Sequence, residues 1–240
     1  MTDTELLKTY IETYDNIVFF GGAGVSTESG IKDFRSQNGI YSMNFKYPPE
    51  TMLSHSFFVS HPEEFFDFYK KMMICEGIKP NRAHIALAKL ENIGKLKAVI
   101  TQNIDGLHQA AGSKNVLELH GSTKRNYCAR CGKFFSEETV AGYNGVLYCD
   151  CGGIVKPDVV LYEEQLDSKT LEASIDAISK AKLLIVAGTS LVVYPAAGLL
   201  RYFKGEKLVL INRDATPYDD SADLVIREPV GKVLGDVVGV

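Results

Sequence analysis

The amino-acid sequence predicts an α/β protein built on a doubly wound parallel sheet, accompanied by a smaller helical and zinc-binding domain. Three observations predict it: short apolar runs rich in β-formers, helix-period stretches between several of them, and four cysteines in two close pairs. Apolar runs without alternation are typical of strands buried on both faces of a parallel sheet. Right-handed crossovers between such strands place a ligand at their carboxyl ends.

The predicted strands lie between helical stretches in chain order. Helical periodicity is seen in residues 81–91 and 171–180, so strand and helix alternate as in a doubly wound sheet. The strands cover residues 16–20, 96–100, 116–119, 183–187, 207–211 and 222–226.

Two segments interrupt the alternation, residues 39–80 and 125–155. The first is rich in aromatic residues and the second carries the paired cysteines, and we expect them to form the smaller domain together. The larger domain then comprises residues 1–38, 81–124 and 156–240. Aromatic side chains at helical spacing usually pack in a core, and this role is assigned to Phe57, Phe58, Phe65, Phe66 and Phe68.

Composition excludes several classes of function. The 240 residues carry a net charge of −4, and the basic residues are scattered, so we expect no direct binding to nucleic acid. No apolar stretch is long enough to span a bilayer. The first ten residues lack the basic start and apolar run of a secretion signal, which predicts a cytoplasmic location.

The cysteine pairs, Cys128/Cys131 and Cys149/Cys151, are separated by seventeen residues. Four thiolates can close tetrahedrally around one zinc ion and leave no open position, which predicts a structural site. Two disulfides, or thiols that merely cluster, are the alternatives, and a reducing cytosol disfavours disulfides. The second pair has one intervening residue where a zinc knuckle usually has two. Cys75 stands apart and is expected to be buried and inert.

A glycine-rich turn follows the first predicted strand. Gly22 and Gly24 allow a tight turn and bring backbone N–H groups close to a phosphate, but Thr27 replaces the third glycine of a dinucleotide fingerprint. Phosphate binding and a plain tight turn therefore both remain open on this motif alone.

Further polar residues follow other predicted strands. Gly188-Thr189-Ser190 and Asn212-Arg213-Asp214 each come directly after a strand, and the segment 101–108 follows another. In that segment Asn103 and Asp105 suit ribose or carboxamide binding, or alternatively the N-cap of a helix. His120 lies just beyond the strand 116–119, where a histidine is either structural or a general base.

Taken in order, these motifs resemble the sirtuins, the NAD-dependent protein deacylases. The resemblance extends from about residue 18 to residue 226. The segments that carry it are Gly22–Ser26, Gly30–Arg35, Thr101–His108, Leu119–Gly121, the two cysteine pairs, Gly188–Ser190 and Ile211–Arg213.

The resemblance implies a Rossmann-like large domain, with NAD and acyl-lysine meeting in the cleft beside the smaller domain. It implies that Phe34 shields the reactive sugar carbon. It also implies which residues contact each part of NAD. Those that line the phosphate and ribose region are Gly22, Ala23, Gly24, Ser26, Thr27 and Arg35. Those that hold the adenosine half are Gly188, Thr189, Ser190 and Asn212. By the same resemblance, Gln102 and Asn103 position the nicotinamide ribose, and Asp105 with Ile104 binds the carboxamide.

The mechanism implied by the resemblance consumes NAD as a co-substrate. The acyl oxygen of the lysine attacks the anomeric carbon and nicotinamide leaves; His120 then acts as general base on the ribose hydroxyls. Water completes the transfer, giving free lysine and an O-acyl-ADP-ribose. A mono-ADP-ribosyltransferase and a non-catalytic NAD-binding module remain alternatives, distinguished by whether ADP-ribose appears on a protein and whether NAD turns over.

The sequence departs from the family pattern at three places. Lys32 stands where proline is common, the Cys149/Cys151 pair is one residue short, and Glu163 replaces a glycine in the segment implied to pair with the substrate backbone. Acyl preference is a further expectation. Phe66 and Tyr69 stand where sirtuins that favour acidic acyl groups have a tyrosine and an arginine, which favours acetyl or another neutral group, unless Lys70 or Lys71 substitutes.

Overall fold

The structure, a computed structural model, describes residues 1–37, 39–75 and 77–240. The strands are β1 (Ile17–Gly21), β2 (Leu96–Thr101), β3 (Val116–Glu118), β4 (Gly121–Cys128), β5 (Phe134–Ser136), β6 (Val155–Val159), β7 (Leu183–Ala187), β8 (Lys207–Ile211) and β9 (Leu224–Ile226). The helices are α1 (Asp3–Thr13), α2 (Pro49–Met52), α3 (His55–Ser60), α4 (Pro62–Met72), α5 (Arg82–Asn92), α6 (Leu107–Ala110), α7 (Glu137–Gly142), α8 (Ser168–Lys180) and α9 (Val230–Val238). Short 3-10 turns include Ala23–Val25, Ile40–Ser42 and Ala196–Tyr202.

The main sheet has the strand order β3-β2-β1-β7-β8-β9, and every pair in it is parallel. All six predicted strands are found, with bounds that agree to within two residues. The largest difference is in β9, which starts at Leu224 because the Ala222 N–H closes a turn onto the carbonyl of Asp219. The next N–H, that of Asp223, donates to the carbonyl of Leu208 in β8 at 2.9 Å. The chain order reverses between β1 and β7, which opens a crevice at the carboxyl edge.

Both faces of this sheet are buried. In β1, Ile17 and Phe19 belong to one apolar cluster with α1, α5 and α9, whereas Val18 and Phe20 belong to another with α8 and the turn Ala196–Tyr202. Successive side chains of a strand point to opposite faces, so an entirely apolar strand needs cover on both sides. Within the described ranges, no helix is long and apolar enough to cross a membrane.

The last helix, α9, is held at both ends by side chains from the first half of the chain. The Glu28 carboxylate accepts the backbone N–H of Gly231 at 2.5 Å, and Arg82 donates to Asp236 and to the carbonyl of Val240. An acidic group at the amino end and a basic group at the carboxyl end both complement the helix dipole. The turn after β1, which contains Glu28, is thereby fixed to α9.

A second, smaller core lies outside the main sheet. Its buried residues come from 40–73 and from 128–161, and the five phenylalanines expected to pack are all among them. Residues 121–159 also form an antiparallel sheet of order β5-β4-β6. The expectation for Cys75 was wrong in part, because this thiol is only half-buried.

Two buried histidines, His84 and His108, meet beneath the turn after β1. Their ring centroids are 4.7 Å apart, and neither ring nitrogen of His108 has a hydrogen-bond partner among the described residues. Burial lowers the pKa of His84 to about 4, partly offset by Asp105, and burial together with the neighbouring His84 lowers the pKa of His108 to about 3. Both rings are therefore neutral in the folded protein at physiological pH.

The two buried, neutral histidines predict that acid lowers the stability of the folded protein. An unfolded histidine titrates near pH 6.5, so below that pH the unfolded chain binds protons that the folded chain excludes. The free energy of unfolding is highest above about pH 6.5 and falls as pH decreases, by about 1.4 kcal/mol per pH unit for each such histidine. Denaturant unfolding of His108→Leu between pH 6 and 4.5 should show a slope shallower by about that amount.

The exposed His61 offers the control for this measurement. His61→Gln should keep the pH slope of the parent protein. Parallel pH profiles for the parent protein and His108→Leu would contradict the assignment of a neutral, buried His108.

Candidate active site

Two glycine turns meet at the point where the strand order reverses. The N–H of Gly22 donates to the carbonyl of Ala187 at 3.1 Å, and that of Gly24 donates to the carbonyl of Gly188 at 2.8 Å. A Cβ on Gly24 would lie 2.7 Å from the Gly188 Cα, and Gly188 itself has a positive φ of 58°. Only glycine permits this backbone contact, which brings the turns after β1 and β7 together.

A buried hydrogen-bond network joins the turn after β1 to the segment after β2. The Ser26 hydroxyl donates to the Asp105 carboxylate at 2.7 Å and accepts from the Asn103 amide at 3.0 Å. Nε2 of His84 lies 3.5 Å from the same hydroxyl. The other Asp105 oxygen accepts the Leu107 N–H at 2.9 Å, so this carboxylate also supports the start of α6.

Other predicted residues line the same edge of the sheet. The Gln102 amide donates to the Thr189 hydroxyl at 3.0 Å, which links the ends of β2 and β7. Arg213 donates to Thr27 at 3.2 Å, which links the end of β8 to the turn after β1. The remaining positions lie at the same strand ends, with Ser190 exposed and Ala23 and Ile104 half-buried. Asn212 differs, because its amide turns to the carbonyl of Asp214, in its own loop.

His120 lies at this edge, between β3 and β4. Its Nδ1 is 3.0 Å from the carbonyl oxygen of Gln102. Because a carbonyl only accepts, Nδ1 carries the proton and the neutral ring presents a free lone pair at Nε2. Burial lowers the pKa of His120, and the hydrogen bond to Gln102 offsets this only in part. The ring is thus prepared to accept a proton at Nε2.

Phe34 and Arg35 belong to a loop, residues 31–37 and 39–43, that we call the cofactor loop. Phe34 packs against the smaller core, and Arg35 is exposed. Both contact Tyr41: the Phe34 ring meets it edge-on at 5.6 Å, and the Arg35 guanidinium lies 5.1 Å from its centroid. Lys32 is exposed, and its ammonium approaches the Met43 sulfur at 3.7 Å.

The segment 159–164 begins at the last residue of β6, and we call it the substrate segment after the role that the resemblance implies for it. Glu163 has a positive φ of 76°, a conformation that costs a non-glycine residue energy. Its carboxylate accepts the backbone N–H and the hydroxyl of Ser56, both at 2.9 Å, in the first turn of α3. The side chain that replaces the expected glycine is therefore directed to α3.

The four paired cysteines converge on one point. All four sulfur atoms lie within 4.8 Å of one another, with Cys128 to Cys151 at 3.4 Å and Cys131 to Cys149 at 3.7 Å. Four sulfurs at about 2.3 Å from a tetrahedral zinc would be about 3.8 Å apart, so the set fits the ion.

The short second pair reaches this point through a tight turn. The Cys149 N–H donates to the carbonyl of Gly153, and the Gly152 N–H donates back to the carbonyl of Cys149, both at 2.8 Å. Gly152 has a φ of 80°, which lets the chain reverse within three residues. The missing residue of the knuckle therefore does not prevent the four sulfurs from converging.

Some residues of the site carried no sequence signal strong enough to select them. His84 reaches Ser26, and the Asn81 amide holds the same turn through the carbonyl of Val25 (2.8 Å) and the hydroxyl of Ser29 (3.0 Å). The only signal available was the Asn-x-x-His spacing at the start of α5, which forms a capping box. Tyr41 and Tyr162 were also missed.

Comparison with known proteins gives a consistent result. A family profile described as Sir2 family matches residues 22–195. A Clostridium acetobutylicum protein named NAD-dependent protein deacetylase is 63% identical over 97% of this chain and 96% of its own length. Among solved structures, a Sir2 complex with a deacetylated peptide and 3′-O-acetyl ADP ribose has a TM-score of 0.90 at 42% identity, covering 99% of this chain and 98% of the other. A Sir2 homologue–NAD complex has a TM-score of 0.89 at 38% identity, covering 98% and 92%.

The cysteine cluster predicts one bound zinc per chain that contributes folding energy. Cys128→Ala should lose the metal and the folding energy that the metal contributes, and each 1 kcal/mol lost should lower Tm by about 2–4 °C for a chain of this size. Elemental analysis and thermal unfolding measure both effects. Cys75→Ala, outside the cluster, should keep the zinc; unchanged zinc content and Tm in Cys128→Ala would refute the site.

The conformation of Glu163 predicts an unusual order of stabilities. Glu163→Ala loses the bonds to Ser56 but keeps the left-handed strain, and should be destabilised by about 1 kcal/mol. Glu163→Gly loses the same bonds and relieves the strain, so it should be more stable than the alanine variant by about 1 kcal/mol. Urea unfolding decides the order, and an alanine variant at least as stable as the glycine variant would contradict the strain.

Proposed function

The chain belongs to the Sir2 family, and we propose that it removes acetyl, or other neutral acyl, groups from protein lysines with NAD as co-substrate. The products are free lysine, nicotinamide and an O-acyl-ADP-ribose. The observation that carries this proposal is the orientation of His120, whose Nδ1 is fixed by the carbonyl of Gln102 at 3.0 Å. Nε2 is thereby left to act as a base at the edge of the sheet.

His120 acts on the ribose hydroxyls in this proposal. A general base must be neutral at the working pH and within hydrogen-bond reach of the proton it removes. The lowered pKa of His120 keeps the ring neutral near pH 7. The backbone carbonyl of His120 also accepts the Val160 N–H at 3.0 Å, which fixes the base relative to the substrate segment.

The place where the glycine turns after β1 and β7 meet is the proposed binding site of the NAD phosphates. Closely packed glycines carry no Cβ atoms that would obstruct a phosphate approaching this part of the backbone. The phosphate and ribose region is assigned to Gly22, Ala23, Gly24, Ser26, Thr27 and Arg35, and the adenosine half to Gly188, Thr189, Ser190 and Asn212. The Gln102 amide donates to the Thr189 hydroxyl, so the segment after β2 lies next to the turn assigned to the adenosine half.

The segment after β2 is the proposed binding site of the nicotinamide half of NAD. Gln102 and Asn103 would orient the ribose, Asp105 with Ile104 would bind the carboxamide, and Phe34 would cover the sugar carbon once nicotinamide leaves. The hydrogen bond from the Ser26 hydroxyl to the Asp105 carboxylate supports these roles, because it orients the carboxylate, and the Asn103 amide in turn donates to the same Ser26 hydroxyl. Prior orientation of polar groups reduces the cost of ordering them on binding.

The smaller domain, residues 39–80 and 125–155, is proposed to form the other wall of the cleft, with a zinc ion held by the four cysteines. The shared apolar core of these segments supports the division. A neutral acyl group is favoured because the aligned stretch of α4 has no arginine. Both neighbouring lysines are engaged: Lys70 donates to the carbonyls of Tyr143 and Gly145, and Lys71 pairs with Asp67.

Product analysis tests this function. The zinc-loaded protein should convert an acetyl-lysine peptide to free lysine only when NAD is present, with nicotinamide and O-acetyl-ADP-ribose detected by mass spectrometry. A succinyl-lysine peptide should turn over more slowly. ADP-ribose attached to protein, or nicotinamide release without loss of the acetyl group, would overturn the proposal.

His120→Ala supplies the matched variant for this assay. Loss of the general base should lower kcat by about 10²–10⁴-fold, while Tm and zinc content stay close to those of the parent protein. Because the ring must be neutral and its pKa is lowered, the acid limb of kcat/KM should have its midpoint below about pH 6.5. Retained activity in His120→Ala, or an acid limb above pH 7, would remove His120 from this role.

A further inference from the structure

A contact between two tyrosine hydroxyls joins the cofactor loop to the substrate segment. The phenolic oxygens of Tyr41 and Tyr162 are 2.5 Å apart, although 121 positions separate the residues in the chain. Tyr41 lies in the turn Ile40–Ser42, and Tyr162 lies beyond β6. The contact therefore spans the two parts of the molecule proposed to meet NAD and the acylated peptide.

The position of Tyr41 is coupled to the positions of Phe34 and Arg35. Besides the ring contacts with both residues, the Tyr41 N–H donates to the carbonyl of Phe34 at 2.9 Å, and the Ile40 N–H donates to the carbonyl of Asp33 at 2.9 Å. These two backbone bonds close the loop on itself. Whatever fixes the Tyr41 side chain therefore also fixes the ring of Phe34 and the start of the Arg35 side chain.

Tyr162 is held from the opposite side. Its N–H donates to the carbonyl of Leu53, and its carbonyl accepts the His55 N–H, both at 3.0 Å, in an isolated parallel bridge with Ser54. The next residue, Glu163, is bonded to α3, and Val160 is bonded to the carbonyl of His120. The Tyr162 hydroxyl is thus presented to the cofactor loop by a segment anchored on two sides.

The contact is a hydrogen bond between two hydroxyl groups at a partly exposed position, with Tyr162 38% exposed. Burial and the bond to Tyr162 raise the pKa of Tyr41, so its hydroxyl stays protonated across the physiological range. One hydroxyl donates and the other accepts. Phenylalanine at either position would keep the ring packing and remove only this bond.

We propose that Tyr41 and Tyr162 are positioning residues whose hydroxyl–hydroxyl bond holds the cofactor loop against the substrate segment, so that the loop is ordered before NAD binds. The consequence for turnover rests on the function proposed above. Without the bond, NAD must order the loop as it binds, so the cost appears in the KM for NAD. At saturating NAD the loop is ordered in either case, and kcat is little changed.

Hydrogen exchange in the absence of NAD and peptide tests the bond directly. In Tyr162→Phe, the amides of Ile40 and Tyr41 should exchange about two- to tenfold faster, which corresponds to the net worth of one hydrogen bond. Amides of β1 and β2 should exchange at the parent rate. Tyr41→Phe removes the same bond from the other side and should give the same pattern, so it also reports if Tyr162→Phe folds poorly.

Steady-state kinetics then test the consequence. Both single variants should raise the KM for NAD about two- to tenfold with kcat within about twofold of the parent value. The double variant should be no worse than either single one, because both remove one shared bond. Tyr148→Phe, an exposed tyrosine beside the cysteine cluster, is the control and should match the parent protein.

Two results would overturn the proposal. Unchanged exchange at Ile40 and Tyr41 in both single variants would show that the bond does not hold the loop, and additive effects in the double variant would show that the hydroxyls act separately. Because exchange is measured without NAD or peptide, an absence of deacetylase activity would contradict the proposed function while leaving the exchange result intact.

Discussion

The backbone contact between the turn after β1 and the turn after β7 is the constraint on which the rest of the site depends. Six parallel strands deliver their following segments to one edge of the sheet, and the order reverses between β1 and β7. The contact at Gly24 and Gly188 is close enough that either Cβ would collide with the facing backbone. This packing forms the floor of the crevice. Ser26, Gln102 and His120 lie at the same edge of the sheet, in the segments that follow its strands.

The smaller core is connected by β4 to His120, the proposed base. The strand begins at Gly121, next to His120, and ends at Cys128 in the metal cluster. A positive φ of 73° at Gly121, with no room for a Cβ beside the Asp158 carbonyl, shows how tightly this start is fitted against β6. A metal that fixes one end of β4 therefore stabilises the strand whose other end positions His120, without touching the substrate.

The sequence predicted the main sheet and the set of polar segments well because both depend on local signals. Fully apolar runs exist only where both faces of a strand are buried, and the carboxyl ends of parallel strands share one edge. Long-range contacts between single side chains have no such periodic signature. Neither the cap that Glu28 provides for α9 nor the tyrosine contact could be predicted, since each joins positions that nothing in the local sequence relates. The half-buried state of Cys75 was missed for the same reason.

The departures from the family pattern show how a fold keeps its backbone path when a residue changes. At Glu163 the backbone retains a left-handed conformation that glycine adopts without strain, and the new carboxylate is bonded to the amino end of α3. The short cysteine pair is compensated in a comparable way, by a glycine turn that restores the convergence of the sulfurs. The compensation differs in range, because Glu163 bonds to Ser56, 107 positions away in the chain, whereas the cysteine turn closes within residues 149–153. The substrate segment thus gains an anchor to α3, and it is this anchored segment that presents Tyr162 to the cofactor loop.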